Sequence, residues 1–146
     1  MLDAAGEADA LAAVARAAGR TQDVLVRVTP DIAVDTHDKI RTGHAGSKFG
    51  LDPHAAAALA TSLPARLRFA GLHLHLGSQV IDAAPLRDAA SWCAAFIADA
   101  GIDVETLDLG GGLGVSYAPS VASPDPGRYV TGVRDAVQAA WCGESP

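Results

Sequence analysis

Residues 71–79 read GLHLHLGSQ. Leucine and histidine alternate and the run then breaks into Gly-Ser-Gln, the pattern of a β-strand that ends in a turn. Successive side chains of a strand point to opposite faces, so Leu72, Leu74 and Leu76 share one face while Gly71, His73, His75 and Gly77 share the other. The leucine face asks for helices. The histidine face asks for a polar interior or a ligand, and the rest of the chain decides between them.

Working outward, VLVRVTP (24–30) alternates Val24, Val26 and Val28 with Leu25, Arg27 and Thr29 before Pro30 stops it. A second strand is expected over 67–78 and a third, VETLDLG, over 104–110, running into Gly110-Gly111-Gly112. Between them lie helical patterns. DAAGEADALAAVARAA (3–18) opens at an Asp3 cap and stops at Gly19, and Asp52-Pro53 opens a helix that runs to Pro64. Asp82 caps APLRDAASWCAAFIADA, which ends at Gly101, and a last helix follows Asp125-Pro126. Helices alternating with strands predict an α/β fold with a parallel sheet. A doubly wound sheet and a (β/α)8 barrel both satisfy that order.

The chain has 146 residues, 49% hydrophobic and 19% charged, enough apolar material for one globular unit. Its formal charge of -6 gives neither nucleic acid nor an anionic membrane an electrostatic reason to bind. The acidic start MLDAAGEADA does not resemble a signal peptide and no run is apolar enough to span a membrane, so a cytoplasmic location is expected. Cys93 and Cys142 form neither a disulfide framework nor a metal spacing. The long connection over 29–51 carries His37 and His44, to which the sequence assigns no role beyond solvated loop residues.

If the valine and leucine faces lie against helices, Arg27 and Asp108 are left pointing to the opposite side with the histidines. Neither charge is tolerated there alone, so an Arg27–Asp108 pair is expected. Gly77-Ser78-Gln79 and Gly110-Gly111-Gly112-Leu113-Gly114 both follow strand ends, where glycine lets backbone N–H groups approach an anion closely. Two such turns, one with the Ser78 hydroxyl, suit a phosphate. The dinucleotide fingerprint G-x-G-x-x-G is not matched by GGGLGVSY. The rival use of His-x-His is a metal, as in barrel hydrolases that bind zinc at a strand end; it needs further ligands and leaves the glycine turns without a task, so no metal is expected.

Taken in order, VLVRVTP, SKFGL, GLHLHLGSQ and LDLGGGLGVSY resemble the middle of the fold-type III pyridoxal-phosphate decarboxylases, from about residue 2 to about residue 120. The resemblance is nearest to the branch that converts meso-diaminopimelate to lysine. It implies a (β/α)8 barrel followed by a β-rich domain, acting as a homodimer with pyridoxal 5'-phosphate at the barrel mouth. By the same resemblance His75 packs its ring on the cofactor pyridine, and Ser78, Gly111 and Gly112 bind the 5'-phosphate. Lys48 and Phe49 match a Lys-Phe-Gly near the site, while Arg27, His73 and Asp108 support it.

Lys48 does not match the family's Schiff-base lysine, which lies in an upstream Tyr-x-x-Lys, and no residue of this chain matches that motif or the downstream Glu-Pro-Gly-Arg. No catalytic residue is therefore assigned within the chain. The tail WCGESP resembles the family's Cys-Glu-Ser only by chance, since that motif belongs to the second domain. A whole barrel takes about 250 residues. The expectation is an internal fragment of the barrel domain covering 1–146, without the C-terminal β domain and inactive alone. The alternatives are a decarboxylase of another basic amino acid or polyamine precursor, or a non-catalytic half-barrel that binds another chain.

Overall fold

The computed structural model describes residues 1–30, 48–81, 84–117 and 123–142. Strands β1 (Gln22–Arg27), β2 (Leu67–His73) and β3 (Thr106–Asp108) form one parallel sheet in that order. Helix α1 (Gly6–Ala17) precedes β1, α2 (Pro53–Thr61) joins β1 to β2, α3 (Ala84–Ala100) joins β2 to β3, and α4 (Pro126–Cys142) follows. Each strand pairs with the strand before it in the chain. That sequential order is the one found along a (β/α)8 barrel, whereas a doubly wound sheet reverses order at a switch point.

The helices form where the sequence supplies both an apolar stripe and a start signal. In α1, Ala8, Ala12 and Ala15 fall on one face and are buried. Asp52 Oδ1 accepts from Ala55 N at 3.0 Å with Pro53 in the first helical turn, and Asp125 Oδ1 accepts from Arg128 N at 2.7 Å. The Asp3 cap is not formed. Helix α1 begins after Ala5, and Glu7 reaches back instead, its carboxylate accepting from Asp3 N at 2.7 Å and Ala4 N at 3.3 Å. The Asp82 cap lies outside the described residues.

The leucine face is covered by helices, as its alternation requires. Val24, Val26, Val28, Leu72, Leu74, Leu76 and Leu109 join Ala8, Ala12, Ala56, Leu86, Ala89 and Cys93 in one buried core. Register places Val26, Leu72 and Leu107 side by side, and Arg27, His73 and Asp108 side by side one residue further on. At the opposite end of the sheet Arg68 joins Asp23 Oδ1 at 2.7 Å and also meets Glu105, linking β1 and β2 to the residue just before β3.

Both β2 and β3 stop earlier than their sequence patterns suggest. Asp108 Oδ1 accepts from Gly110 N at 2.8 Å and Gly110 takes φ +75°, so the chain turns away after Asp108. The bond from Leu74 N to the Asp108 carbonyl, 2.8 Å, closes the ladder, and His75 lies beyond the strand end. The far edge of β1 is also occupied. Leu2 bridges Val26 and Leu51 bridges Val28, both in parallel sense. Among the described residues no helix is long and apolar enough to cross a membrane.

Candidate functional site

Arg27, His73 and Asp108 stand in one row across three strands, on the face away from the helices. Neighbouring strands lie about 4.8 Å apart, which leaves Arg27 and Asp108 separated by roughly 10 Å of sheet with His73 between them. The expected Arg27–Asp108 pair is accordingly not made. Arg27 Nη1 donates to Asp3 Oδ1 at 2.8 Å, because the Leu2 bridge brings Asp3 alongside β1 on its other edge. Arg27 is only 9% exposed, so the Asp3 carboxylate supplies the counter-charge that a nearly buried guanidinium needs.

Asp108 instead faces two groups of its own neighbourhood. One oxygen accepts from Gly110 N, and the other lies 3.9 Å from His73 Nε2. His73 Nδ1 is buried and has no hydrogen-bond partner. Burial pushes the His73 pKa below the usual histidine value, with Asp108 pulling back up and Arg27 and His75 pushing further down. His75 is lowered in the same way, first by burial and then by Arg27. In both rings the neutral form is the one that the surroundings favour.

His75 and the two glycine turns meet at the strand ends. A Cβ on Gly110 would lie 2.5 Å from the Leu74 carbonyl oxygen and 2.8 Å from His75 Nδ1, so the bare Gly110 backbone packs directly on that histidine. A Cβ on Gly112, whose φ is +95°, would lie 2.0 Å from the Gly77 carbonyl oxygen and 3.3 Å from Ser78 Cα. Only glycine fits at either place. The seam is tied by backbone bonds from Val80 N to Gly112 O at 2.8 Å and from Gly114 N to Val80 O at 2.9 Å. Gln79, in a left-handed conformation at φ 59°, adds its Oε1 as acceptor for Val115 N at 2.9 Å.

Two amides and a hydroxyl at this seam are open to a ligand. Ser78 and Gly111 are exposed at the seam, and among the described residues the amides of Gly111 and Gly112 donate to no protein acceptor. Unpaired backbone N–H groups beside a hydroxyl suit a phosphate, and the half-buried imidazole of His75 offers a flat surface next to them. These residues fit the phosphate and ring of pyridoxal 5'-phosphate.

The Lys48-Phe49 segment reaches the same end of the sheet. Leu51 N donates to Arg27 O at 2.9 Å, Thr29 N to Leu51 O at 2.8 Å, and Thr29 Oγ1 to Phe49 O at 2.7 Å. The Phe49 ring has Arg27 Cζ 5.1 Å and Lys48 Nζ 5.2 Å from its centroid, so both cations lie on aromatic surface. His37 and His44 lie outside the described residues. Among the described residues no three His, Cys, Asp or Glu side chains gather as a metal site.

Three contributors are not read as such from the sequence. Asp3 reads as a helix cap, Gln79 as an ordinary turn residue, and Tyr129 as one of several aromatics; its Oη reaches the Gly111 carbonyl from α4 at a long 3.5 Å. The one available signal was Asp3 itself, a carboxylate next to a core residue, Leu2, that sits beside a strand.

Comparison with known proteins agrees with this geometry. The family described as pyridoxal-dependent decarboxylase, pyridoxal binding domain, matches residues 2–145. The diaminopimelate decarboxylase of Aquifex aeolicus is 36% identical over 126 residues, covering 82% of this chain and 30% of that protein. That of Actinosynnema pretiosum is 39% identical over 141 residues, covering 94% of this chain and 32% of the relative. Among solved structures, diaminopimelate decarboxylase from Helicobacter pylori complexed with L-lysine superposes with a TM-score of 0.78 at 30% identity, over 93% of this chain and 36% of that one. The Paramecium bursaria Chlorella virus arginine decarboxylase, at 16% identity and a TM-score of 0.58, shares the fold. The chain thus spans about a third of the length of the relatives it matches. By its motifs, its strand order and these likenesses, the chain belongs to the pyridoxal-dependent decarboxylases, in the domain that binds the cofactor.

Proposed function

We propose that this chain forms the phosphate- and ring-holding part of a decarboxylase that converts meso-diaminopimelate to lysine. The observation that carries the reading is the Gly77–Gly112 seam, a backbone contact that leaves no room for a Cβ beside an exposed Ser78 and two undonated amides. Pyridoxal phosphate, when bound, supplies the electron sink that decarboxylation requires. The chain's own residues bind and orient. Ser78 Oγ and the N–H groups of Gly111 and Gly112 donate to phosphate oxygens. The His75 ring covers one side of the pyridine and, in the neutral form that its surroundings favour, brings no positive charge against it. The Asp3–Arg27 and His73–Asp108 contacts fix the floor beneath.

The choice of substrate rests on the relatives, which are named as diaminopimelate decarboxylases, and on the Helicobacter pylori structure, which holds L-lysine, the product of this reaction. The reading extends to a homodimer working in the cytoplasm. Residues 1–146 constitute part of a barrel domain in this proposal, and a β-rich second domain completes the enzyme. In this proposal the cofactor-linked lysine also comes from elsewhere, because neither Lys39 nor Lys48, the two lysines of the chain, stands in a Tyr-x-x-Lys context.

Titration of the chain with pyridoxal phosphate and with pyridoxal tests the binding. The phosphate ester is expected to bind at least about tenfold more tightly, and Ser78→Ala to remove a large share of that advantage. Equal affinity for the two compounds would contradict the assigned phosphate site. The substrate is tested on the gene: coding sequence continuing into a Tyr-x-x-Lys strand upstream and Glu-Pro-Gly-Arg downstream supports the decarboxylase, and its product should release carbon dioxide from meso-diaminopimelate faster than from ornithine or arginine.

A further inference from the structure

We infer that Asp108 is the positioning residue of the anion site, one carboxylate oxygen setting the turn that presents Gly111 and Gly112 while the other faces His73. The inference rests on the cofactor reading for the identity of the anion, and on geometry for the rest. Asp108 is anchored at both ends of its reach. Its carbonyl accepts from Leu74 N at 2.8 Å, fixing its backbone to the residue after β2, and its Oδ1 accepts from Gly110 N at 2.8 Å. Gly110 in turn packs against the Leu74 carbonyl and His75, so one bond sets both the entry to the glycine turn and the backbone against which His75 rests.

The carboxylate has a cost that needs explaining. A negative charge three residues from a phosphate-binding amide repels the ligand, and a threonine or valine would suit the end of a strand better. Its retention is accounted for by the two contacts it makes. A charge-assisted bond to Gly110 N consumes the first amide of the turn, so that the donors left to the ligand are those of Gly111 and Gly112. The second oxygen, 3.9 Å from His73 Nε2, supplies the polar counterpart of a histidine whose other nitrogen is buried without a partner. Neither contact requires Asp108 to touch the cofactor, which makes it a positioning group and not a catalytic one.

Asp108→Ala and Asp108→Asn separate this role from general stability. Asparagine keeps an oxygen for Gly110 N and loses the charge; alanine loses both. In the chain without ligand, amide hydrogen exchange at Gly110 is expected to quicken at least about tenfold in Asp108→Ala and to stay within about threefold of the parent in Asp108→Asn. Pyridoxal phosphate binding should weaken about tenfold in Asp108→Ala and recover in Asp108→Asn, with pyridoxal affinity little changed in both. Asp108→Asn should also lower the pH midpoint of the His73 ring resonances, a readout that a purely structural residue would not move. Unchanged Gly110 exchange in Asp108→Ala, or equal damage from asparagine and alanine, would overturn the inference. Should Asp108→Ala fail to fold, Asp108→Asn with unaltered Gly110 exchange and a lowered His73 midpoint still supports the inference, and altered exchange or an unmoved midpoint refutes it. A parent chain that binds neither pyridoxal phosphate nor inorganic phosphate refutes the cofactor reading alone, because the exchange measurement does not depend on it.

Discussion

The two faces of one small sheet have opposite characters. Toward the helices, Val26, Leu72 and Leu74 are each 0% exposed, and nothing polar interrupts them. Toward the other side stand Arg27 and His73, each next to a helix-side residue on its strand, and Asp108 on β3, with the Asp108 side chain 48% exposed. Past the register shift at Val24/Leu25, a period of two over the ends of β1 and β2 writes both faces at once. The lesson is that the residues that hold the fold and those that make the site are interleaved one by one, so substitutions one position apart should differ in kind.

The largest effect is expected on the helix side. Leu72→Ala removes a fully buried side chain from a core whose helices are already alanine-rich, and should cost about 3 kcal/mol in urea denaturation. Its neighbour His73→Ala should cost much less. Comparable losses at the two positions would break the contrast between the faces.

Next comes the glycine seam. Gly112→Ala places a methyl group 2.0 Å from the Gly77 carbonyl oxygen, at a left-handed φ, and should cost about 2 kcal/mol while abolishing pyridoxal phosphate binding. Gly111→Ala, where a Cβ would meet nothing within 4 Å, should be far milder for stability. A smaller loss follows from Asp3→Asn. Removing the counter-charge of an arginine 9% exposed should cost on the order of 1 kcal/mol, and Asp108→Asn should not mimic it, because Asp108 is not the partner of Arg27.

The smallest effect is the pH response. His73 and His75 have folded pKa values below the ordinary 6.5, so the unfolded chain binds protons that the folded chain refuses. Their contribution to stability is therefore complete above about pH 6.5 and is lost as pH falls through their lowered folded values. Denaturation midpoints measured from pH 7.5 down to 5 should fall, and the fall should shrink in a His73→Gln, His75→Gln double variant.

The alternation of Leu72, Leu74 and Leu76 with His73 and His75, and of Val24, Val26 and Val28 with Arg27, made the strands and their buried side legible in the sequence. Helix starts at Asp52 and Asp125 were legible because a cap is a local bond. Strand ends were not. The termination of β2 at His73 depends on Asp108 bending a different strand, a long-range cause that no window around His73 contains. The partner of Arg27 was misread for the same reason: pairing depends on which strands are neighbours, and His73 occupies the position that an Arg27–Asp108 contact would need. The glycine turns were recognisable individually, but their contact at Gly77 and Gly112 emerged only when the two loops were brought into register by the Val80–Leu113 bridge.

The most direct test is a nitrogen-15 NMR titration of the chain with pyridoxal phosphate, following backbone amides and imidazole nitrogens together. The polar face at the strand ends is expected to respond as a group, with the largest shifts at Ser78, Gly111, Gly112 and the His75 ring and none at the helix-side residues Val26 and Leu72. Binding that shifts residues elsewhere and leaves Gly111, Gly112 and His75 unmoved would contradict the account.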